Sequence, residues 1–298
     1  MTKESNNQTA EAPNMKLFAG EKLLVYVGLA GFVLAGVIAI YIGLSGSVIL
    51  PEGSAERAFS FNAAIAMFIL SIAAILPLSG LSHRKRSGVR RFFIPAILFA
   101  YGVETVQQFR GINPRFSRIG SVIDSVVGAL FGLDSLLIIV VTVLLAIPFF
   151  RRRKANGRPL VVLGIRYAFL STMAAFAAGL WMIAISSRYT GAAGNLIVLH
   201  GLGFHALQAL PLLGWLLEKA RSGELIARRL IHTGSTAWLI SVLLVGLQTA
   251  FGRTVFELTA LPLLAGIMLL VWLGTFIFAT IDLLKASPAP EIQTSQRH

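Results

Sequence analysis

Residues 104–132 read ETVQQFRGINPRFSRIGSVIDSVVGALFG, with a long apolar segment on either side. This is the one stretch in which acids, amides and arginines cluster between hydrophobic runs. Glu104, Gln107 and Gln108 lie near the end of one run, a loop with arginines follows, and Asp124 opens the next run. Long apolar segments joined by short polar connections predict a chain that crosses a membrane several times.

The composition also indicates a membrane protein. Of the 298 residues, 56% are hydrophobic and only 13% are charged, and the mean hydropathy is +0.77. A soluble domain carries about 25% charged residues. The apolar runs are continuous, whereas a β-barrel needs alternating segments of about ten residues. We therefore expect an all-α, polytopic integral membrane bundle of about eight transmembrane helices.

The apolar runs set the predicted spans and their direction. The eight predicted spans are residues 22–44, 59–81, 92–109, 120–150, 160–186, 195–217, 230–251 and 258–284. With a cytoplasmic N-terminus, nineteen Lys and Arg residues fall on cytoplasmic segments and six on outer segments, which predicts an N-in, C-in topology. The expected organisation is a cytoplasmic disordered tail (1–20), a four-span half (21–150), a second four-span half (151–285) and a cytoplasmic disordered tail (286–298).

Four spans on each side of the basic loop RRRKANGRP suggest an internal duplication. Predicted spans three and seven each follow an arginine pair. Each ends in a turn that contains a glutamine, Gln107 in the first case and Gln248 in the second. The other residues of the two halves align poorly. A parallel repeat is therefore a hypothesis at this level.

Polar side chains in the predicted outer half of the membrane define a candidate ligand site. Glu104 and Gln107 share a helix face through their i, i+3 spacing, and so do His205 and Gln208. A charge at the centre of a membrane helix costs about 2.5–3.5 kcal/mol on insertion scales, so such groups usually pair or line a cavity. The predicted outward-open pocket consists of Glu104, Gln107, Gln108, Asp124, His200, His205 and Gln208. The alternative is that each side chain ties two helices together.

Three arginines are predicted at the mouth of this pocket, namely Arg110, Arg115 and Arg118. Arginines in an outer loop run against the positive-inside bias. Their guanidinium groups suit an anionic ligand such as phosphate or a lipid headgroup. Ordinary contact with the lipid headgroups explains them equally well.

The sequence predicts no cofactor and no metal. A haem held by two histidines needs them on different helices, whereas His200 and His205 share one span. A zinc site there would need Glu104 or Asp124 as its third ligand. The chain has no cysteine, which excludes thiolate chemistry. The net charge of +13 lies in short loop clusters without a groove-reading motif, so the expected partner is the lipid bilayer and not nucleic acid.

Residues 104–132 resemble the VanZ-like family of bacterial membrane proteins. The shared pattern is a helix ending in Glu-x-x-Gln, a following Phe, a loop with Arg and Ser, and an acidic or amide residue that opens a Gly-spaced helix. The matching residues are Glu104, Gln107, Phe109, Arg115, Ser117, Asp124, Gly128 and Gly132. The family usually has an Asp and then an Asn one turn on. This chain has one Asp, with Gly120 or Ser121 near the earlier place.

The resemblance implies a multi-pass protein of the bacterial inner (plasma) membrane that serves the cell envelope, in the manner of glycopeptide tolerance. The leading interpretation is a binding protein for an anionic or lipid-linked envelope ligand. The second is an enzyme acting on a lipid-linked phosphate or glycan, with Glu104 or Asp124 as general base. The third is a proton-coupled transporter in which Glu104 and His205 relay protons. The oligomeric state is open.

Overall fold

The computed structural model describes residues 16–151 and 157–286, and most of both predicted tails lies outside these ranges. The described ranges contain α1 (Lys22–Ser45), α2 (Ala55–Ile75), a 3-10 helix (Leu76–Ser79), α3 (His83–Phe109), α4 (Val122–Arg151), α5 (Pro159–Ile185), α6 (Leu196–Lys219), α7 (Glu224–Ala250) and α8 (Ala260–Ala286). Of these eight α-helices, seven are long and apolar enough to cross a membrane. The predicted all-α polytopic bundle is therefore confirmed.

The helix that falls short of this apolar standard is α3, because basic residues in its first turns and Glu104, Gln107 and Gln108 near its end leave too short an apolar stretch between them. We expected the basic residues to form a loop and the helix to begin near residue 92. The helix in fact begins at His83, after Ser82, whose Oγ accepts a hydrogen bond from the Lys85 N–H at 3.4 Å. Lys and Arg are good helix formers, so a basic segment can extend a membrane helix into the aqueous phase.

Two short β-hairpins join helices where the sequence predicted only loops. The first pairs β1 (Val48–Ile49) with β2 (Gly53–Ser54), between α1 and α2. The second pairs β3 (Tyr189–Thr190) with β4 (Gly194–Asn195), between α5 and α6. Each residue of the second hairpin lies 141 positions after its equivalent in the first.

The turns after α3 and α7 repeat with the same spacing. Gly111 and Gly252 both have a positive φ, of 74° and 71°, which a residue with a side chain rarely adopts. Each glycine carbonyl accepts a hydrogen bond from the neighbouring hairpin, from the Glu52 N–H at 2.9 Å and from the Ala193 N–H at 2.8 Å. Both pairs of equivalent residues are again 141 positions apart.

The chain therefore contains two structurally equivalent four-helix units in the same direction, α1–α4 and α5–α8. The glutamines that suggested a repeat, Gln107 and Gln248, occupy equivalent positions. Their carbonyls accept hydrogen bonds from the equivalent N–H groups of Ile112 at 2.9 Å and Arg253 at 3.2 Å. The two units thus share the same backbone hairpins and turns, although most of their side chains differ.

The two units pack together through α4 and α5, where the Phe149 and Phe169 rings lie 5.6 Å apart, and through α2 and α6. The Phe68 and Phe204 rings meet edge to face at 5.7 Å, and Gln208 donates a hydrogen bond to the Ser71 hydroxyl at 2.6 Å. By contrast, only 28%, 22% and 11% of the residues in the most apolar segments of α1, α4 and α8 are buried within the protein, so these helices present most of their apolar surface to the outside of the bundle. We call the end that carries both hairpins and the turns after α3 and α7 the hairpin end.

Candidate functional site

The candidate site is built on the last two turns of α3, at the hairpin end. Glu104, Gln107 and Gln108 are at most 2% exposed there. Their i, i+3 and i+4 spacing places them on one face of the helix, which is turned into the bundle. The structure thus brings together the three polar residues that the sequence grouped.

Two partners hold the buried carboxylate of Glu104. Its Oε1 accepts a hydrogen bond from Nε2 of Gln108 at 3.0 Å. Its Oε2 lies 2.7 Å from Nη2 of Arg115, in an ion pair that is not an aligned hydrogen bond. A carboxylate that is 1% exposed needs such a cation, because an unpaired buried charge is strongly unfavourable.

The guanidinium group of Arg115 is also held between two aromatic rings. Its Cζ atom lies 5.0 Å from the ring centroid of Phe61 in α2 and 5.0 Å from that of Phe131 in α4. Both distances are within the range of cation–π attraction. The Arg115 side chain still keeps 38% of its surface exposed. The result is a cation that is fixed in position but open to solvent.

Asp124 connects α4 to the end of α3. Its Oδ2 accepts hydrogen bonds from the backbone N–H and the hydroxyl of Ser121 at 2.9 and 2.7 Å, and the Ser121 Oγ accepts the Asp124 N–H, which forms a capping box. Its Oδ1 accepts from Gln107 Nε2 at 3.1 Å and from Arg110 Nη1 at 2.6 Å. Arg110 also donates to the Gln107 Oε1 at 2.6 Å, with 53% of its side chain exposed.

Glu52, in the first hairpin, fixes the loop between α3 and α4. Its Oε2 accepts hydrogen bonds from the Ser117 hydroxyl at 2.6 Å and the Asn113 N–H at 3.5 Å, and its Oε1 accepts from the Arg118 N–H at 2.9 Å. The Ser117 hydroxyl contributes most to lowering the pKa of Glu52 below its ordinary value, followed by the Arg118 N–H. The loop is therefore held by an ionised carboxylate.

The first hairpin is joined to the site by a second contact. The Ser54 N–H donates to Oε1 of Gln108 at 2.8 Å, while Nε2 of the same amide binds Glu104. Gln108 thus links the hairpin to the buried carboxylate. The hairpin, α3, the loop and α4 form one connected polar network.

The remaining predicted site residues have other partners or other roles. The Nδ1–H of His200 donates to the Ala175 carbonyl in α5 at 2.8 Å, and His205 Nδ1 lies 3.4 Å from Oε1 of Gln208. Gln208 itself ties α6 to α2 through its hydrogen bond to Ser71. The His200 and Gln208 contacts tie α6 to α5 and α2, whereas the His205–Gln208 contact lies within α6, and none of the three belongs to the network around Glu104. Arg118 joins that network through its backbone, and its side chain is exposed.

Three contributors to the site were absent from the sequence prediction, namely Glu52, Phe61 and Phe131. Glu52 lay in a loop without a recognised pattern, and the two phenylalanines look like any other apolar residue of a span. The Ser121-x-x-Asp124 spacing was the one usable signal, because it is the pattern of a capping box.

Within residues 16–151 and 157–286, no group of three or more His, Asp and Glu side chains is arranged to hold a metal ion. No family model, curated protein or solved structure matches this chain significantly. The resemblance of residues 104–132 to the VanZ-like family therefore stays a prediction.

Proposed function

We propose that this protein is a multi-pass membrane protein that binds an anionic or lipid-linked ligand of the bacterial cell envelope at its hairpin end. The observation that carries the proposal is the environment of Arg115. A buried carboxylate and two aromatic rings hold this guanidinium group, yet 38% of its side chain is exposed. A structural ion pair alone does not require a cation that is both fixed and accessible.

Arginine suits this role for geometric reasons. The guanidinium group presents a planar set of N–H donors that matches the oxygens of a phosphate or carboxylate, and one edge can bind Glu104 while another binds a ligand. Arg110 repeats the arrangement, since Asp124 and Gln107 hold one of its nitrogens and 53% of its side chain is exposed. The network fixes both groups before a ligand arrives, which reduces the entropy lost on binding.

The charges near the site favour selective binding over strong nonspecific attraction. Three arginines, Arg110, Arg115 and Arg118, are matched by the carboxylates of Glu52, Glu104 and Asp124. The carboxylates are the more buried partners in the two ion pairs, so positive charge faces the surface. We expect an affinity that depends on the geometry of the anion and that falls as salt is added.

The same contacts favour binding over catalysis. A general base must offer a free lone pair to the proton that it removes. Asp124 accepts four hydrogen bonds, two on each oxygen. The Glu104 carboxylate is 1% exposed and lies behind Arg115, so it offers no accessible surface to a substrate. These carboxylates are therefore suited to positioning arginines.

The orientation of the site in the membrane follows from the basic residues. The excess of Lys and Arg in the predicted cytoplasmic segments predicts that the hairpin end faces outward.

Binding of a soluble phosphate anion tests the proposal. The full chain is placed in nanodiscs of neutral lipid and titrated with inorganic pyrophosphate, and in parallel with short-chain phosphatidylglycerol or phosphatidylcholine. The test variants are Arg110→Gln and Arg115→Lys, of which the second keeps the charge beside Glu104. The control is Arg228→Gln in α7, an exposed arginine paired with Glu224.

We expect pyrophosphate and phosphatidylglycerol to bind and phosphatidylcholine not to bind. Each test variant should weaken binding by roughly tenfold, because a hydrogen bond to a charged group contributes about 1.5–3 kcal/mol, and Arg228→Gln should bind normally. The proposal is wrong if pyrophosphate and phosphatidylglycerol do not bind, or if the control loses as much affinity as the test variants.

A further inference from the structure

We call the loop between α3 and α4 the arginine loop. The second four-helix unit carries an equivalent loop between α7 and α8, with different side chains. Asn113 Oδ1 accepts the Arg115 N–H at 3.0 Å, and Thr254 Oγ1 accepts the Phe256 N–H at 3.3 Å. The separation is again 141 residues. Phe256 therefore occupies the position of Arg115.

A second mouth arginine is replaced in the same way. The Arg110 N–H donates to the Val106 carbonyl and the Phe251 N–H to the Leu247 carbonyl, both at 3.0 Å. Phe251 thus occupies the position of Arg110. Two of the three mouth arginines, Arg110 and Arg115, thus have phenylalanines at the equivalent positions of the second loop.

The second unit also lacks the buried acid. The position equivalent to Glu104 is Val245, which is 6% exposed, and the position equivalent to Glu52 is Ala193. The second unit thus keeps the hairpin, the turn and Gln248 but has apolar residues at these charged positions. At these positions it offers an anion neither a guanidinium donor nor a carboxylate that would hold one.

The apolar replacements are held away from the protein. Phe251, Phe256 and Leu258 are 69%, 86% and 88% exposed. The loop is nevertheless braced, because Gln248 Nε2 donates to the Thr254 carbonyl at 2.9 Å and Arg253 pairs with the Glu257 carboxylate at 2.6 Å. A braced loop that presents large apolar side chains needs an apolar environment to cover them.

We propose that residues 251–258 insert into the edge of the lipid bilayer at the hairpin end and anchor the second unit there. The occupant is lipid because this loop leads directly into α8, whose apolar window is only 11% buried within the protein, so the exposed side chains continue a lipid-facing surface. Aromatic side chains favour this interfacial depth. The two units therefore have different roles. The loop of the first binds an anion, and the loop of the second anchors the protein in the membrane.

Spin-label accessibility measures the depth of the loop directly, and the chain contains no native cysteine. Single variants Phe256→Cys and Arg118→Cys of the full chain are spin-labelled in nanodiscs. Arg118 is a matched control because it lies in the equivalent loop of the first unit, and it contacts Glu52 through its backbone. Collision rates are then measured with oxygen, which partitions into lipid, and with a water-soluble nickel chelate.

The label at position 256 should collide mainly with oxygen, and the label at position 118 mainly with the nickel chelate. Equal or greater nickel accessibility at position 256 would place the loop in water and overturn the proposal. Dipolar broadening between labels at position 256 in nanodiscs that hold two chains would also overturn it, because a second copy would then cover the loop. Labelling at Leu258→Cys repeats the measurement if the first variant does not fold.

Discussion

Arg115 and Glu104 form an ion pair across the end of α3, with 2.7 Å between Nη2 and Oε2. The carboxylate is 1% exposed and the guanidinium-bearing side chain is 38% exposed. The pair therefore joins a buried charge to an accessible one. Folding of the loop places the positive charge of Arg115 beside the Glu104 carboxylate. The buried carboxylate in turn fixes the guanidinium group that we expect to bind the ligand.

Removal of the arginine alone should destabilise the protein. In Arg115→Ala the buried Glu104 loses its cation. We expect a loss of about 2 kcal/mol, less than the ~3–5 kcal/mol of fully buried pairs because Arg115 is partly solvated. The Glu104→Gln/Arg115→Ala double variant should regain part of this stability. Thermal unfolding in a neutral detergent measures both effects, and equal stability of the single and double variants would argue against a stabilising pair.

The order of the loop between α3 and α4 should depend on pH through Glu52. Its pKa is lowered in the folded protein, so the stability that it contributes is fully present above its ordinary value of 4.5 and is lost as the pH falls through the lower folded value. Ser117→Ala removes the largest cause of the shift and should move the transition to higher pH. Limited proteolysis of the loop across this acidic range reports the transition.

The variant Glu52→Gln provides the control for this prediction. A glutamine cannot titrate, so cleavage of the loop should become independent of pH in the same window. A transition that persists unchanged in Glu52→Gln would assign the pH dependence to another group.

The hairpins should tolerate no side chain at their closest approach to the turns. A Cβ atom at Gly53 would overlap the Gln108 carbonyl oxygen, and one at Gly194 would approach the Thr249 carbonyl oxygen within 2.6 Å. Gly53→Ala and Gly194→Ala should each cost about 1–3 kcal/mol through this overpacking. Gly102→Ala is the matched control, because a Cβ there meets no atom within 4 Å. Unfolding midpoints should drop for the first two variants, and a comparable drop in the control would refute the steric explanation.

The α6 residues of the predicted pocket should be dispensable for ligand binding. His205→Ala and Gln208→Leu alter contacts within α6 and between α6 and α2, away from the Glu104 network. We expect normal pyrophosphate affinity in both variants and lower thermal stability in Gln208→Leu. A strong loss of affinity in a variant that unfolds normally would return α6 to the binding site.

Much of the fold follows from the sequence because lipid imposes simple rules. Apolar runs of sufficient length must be helical, and the class of the protein and the number of helices follow from them. Helix starts within basic segments, such as His83, were misplaced because charge does not end a helix. The two hairpins were missed because strands of two residues, such as Val48–Ile49, leave no periodic signal.

The site was predictable only where one helix determines the spacing. Glu104 and Gln107 were placed on one helix face because positions i and i+3 share a face, and both side chains are indeed buried on one face of α3. The contribution of Phe61 depends on how α2 packs against the loop, which no local pattern encodes. The direction in which His200 points was equally hidden, since its partner is a backbone carbonyl of another helix.

Labelling of a cysteine at position 119 in intact cells tests whether an accessible anion site lies on the outer face. Ile119 is 53% exposed in the arginine loop, and its known contact with Ser117 is made by its backbone. Ile119→Cys is expressed in the otherwise cysteine-free chain and treated with an impermeant maleimide, with and without inorganic pyrophosphate. The same measurement is made in an Arg115→Lys background.

We predict that Cys at position 119 is labelled in intact cells, that pyrophosphate slows this labelling, and that the Arg115→Lys background needs roughly tenfold more pyrophosphate for the same protection. Labelling only after the membrane is permeabilised would contradict the outward orientation. Labelling at a rate that pyrophosphate does not change in the native background would contradict the anion site itself.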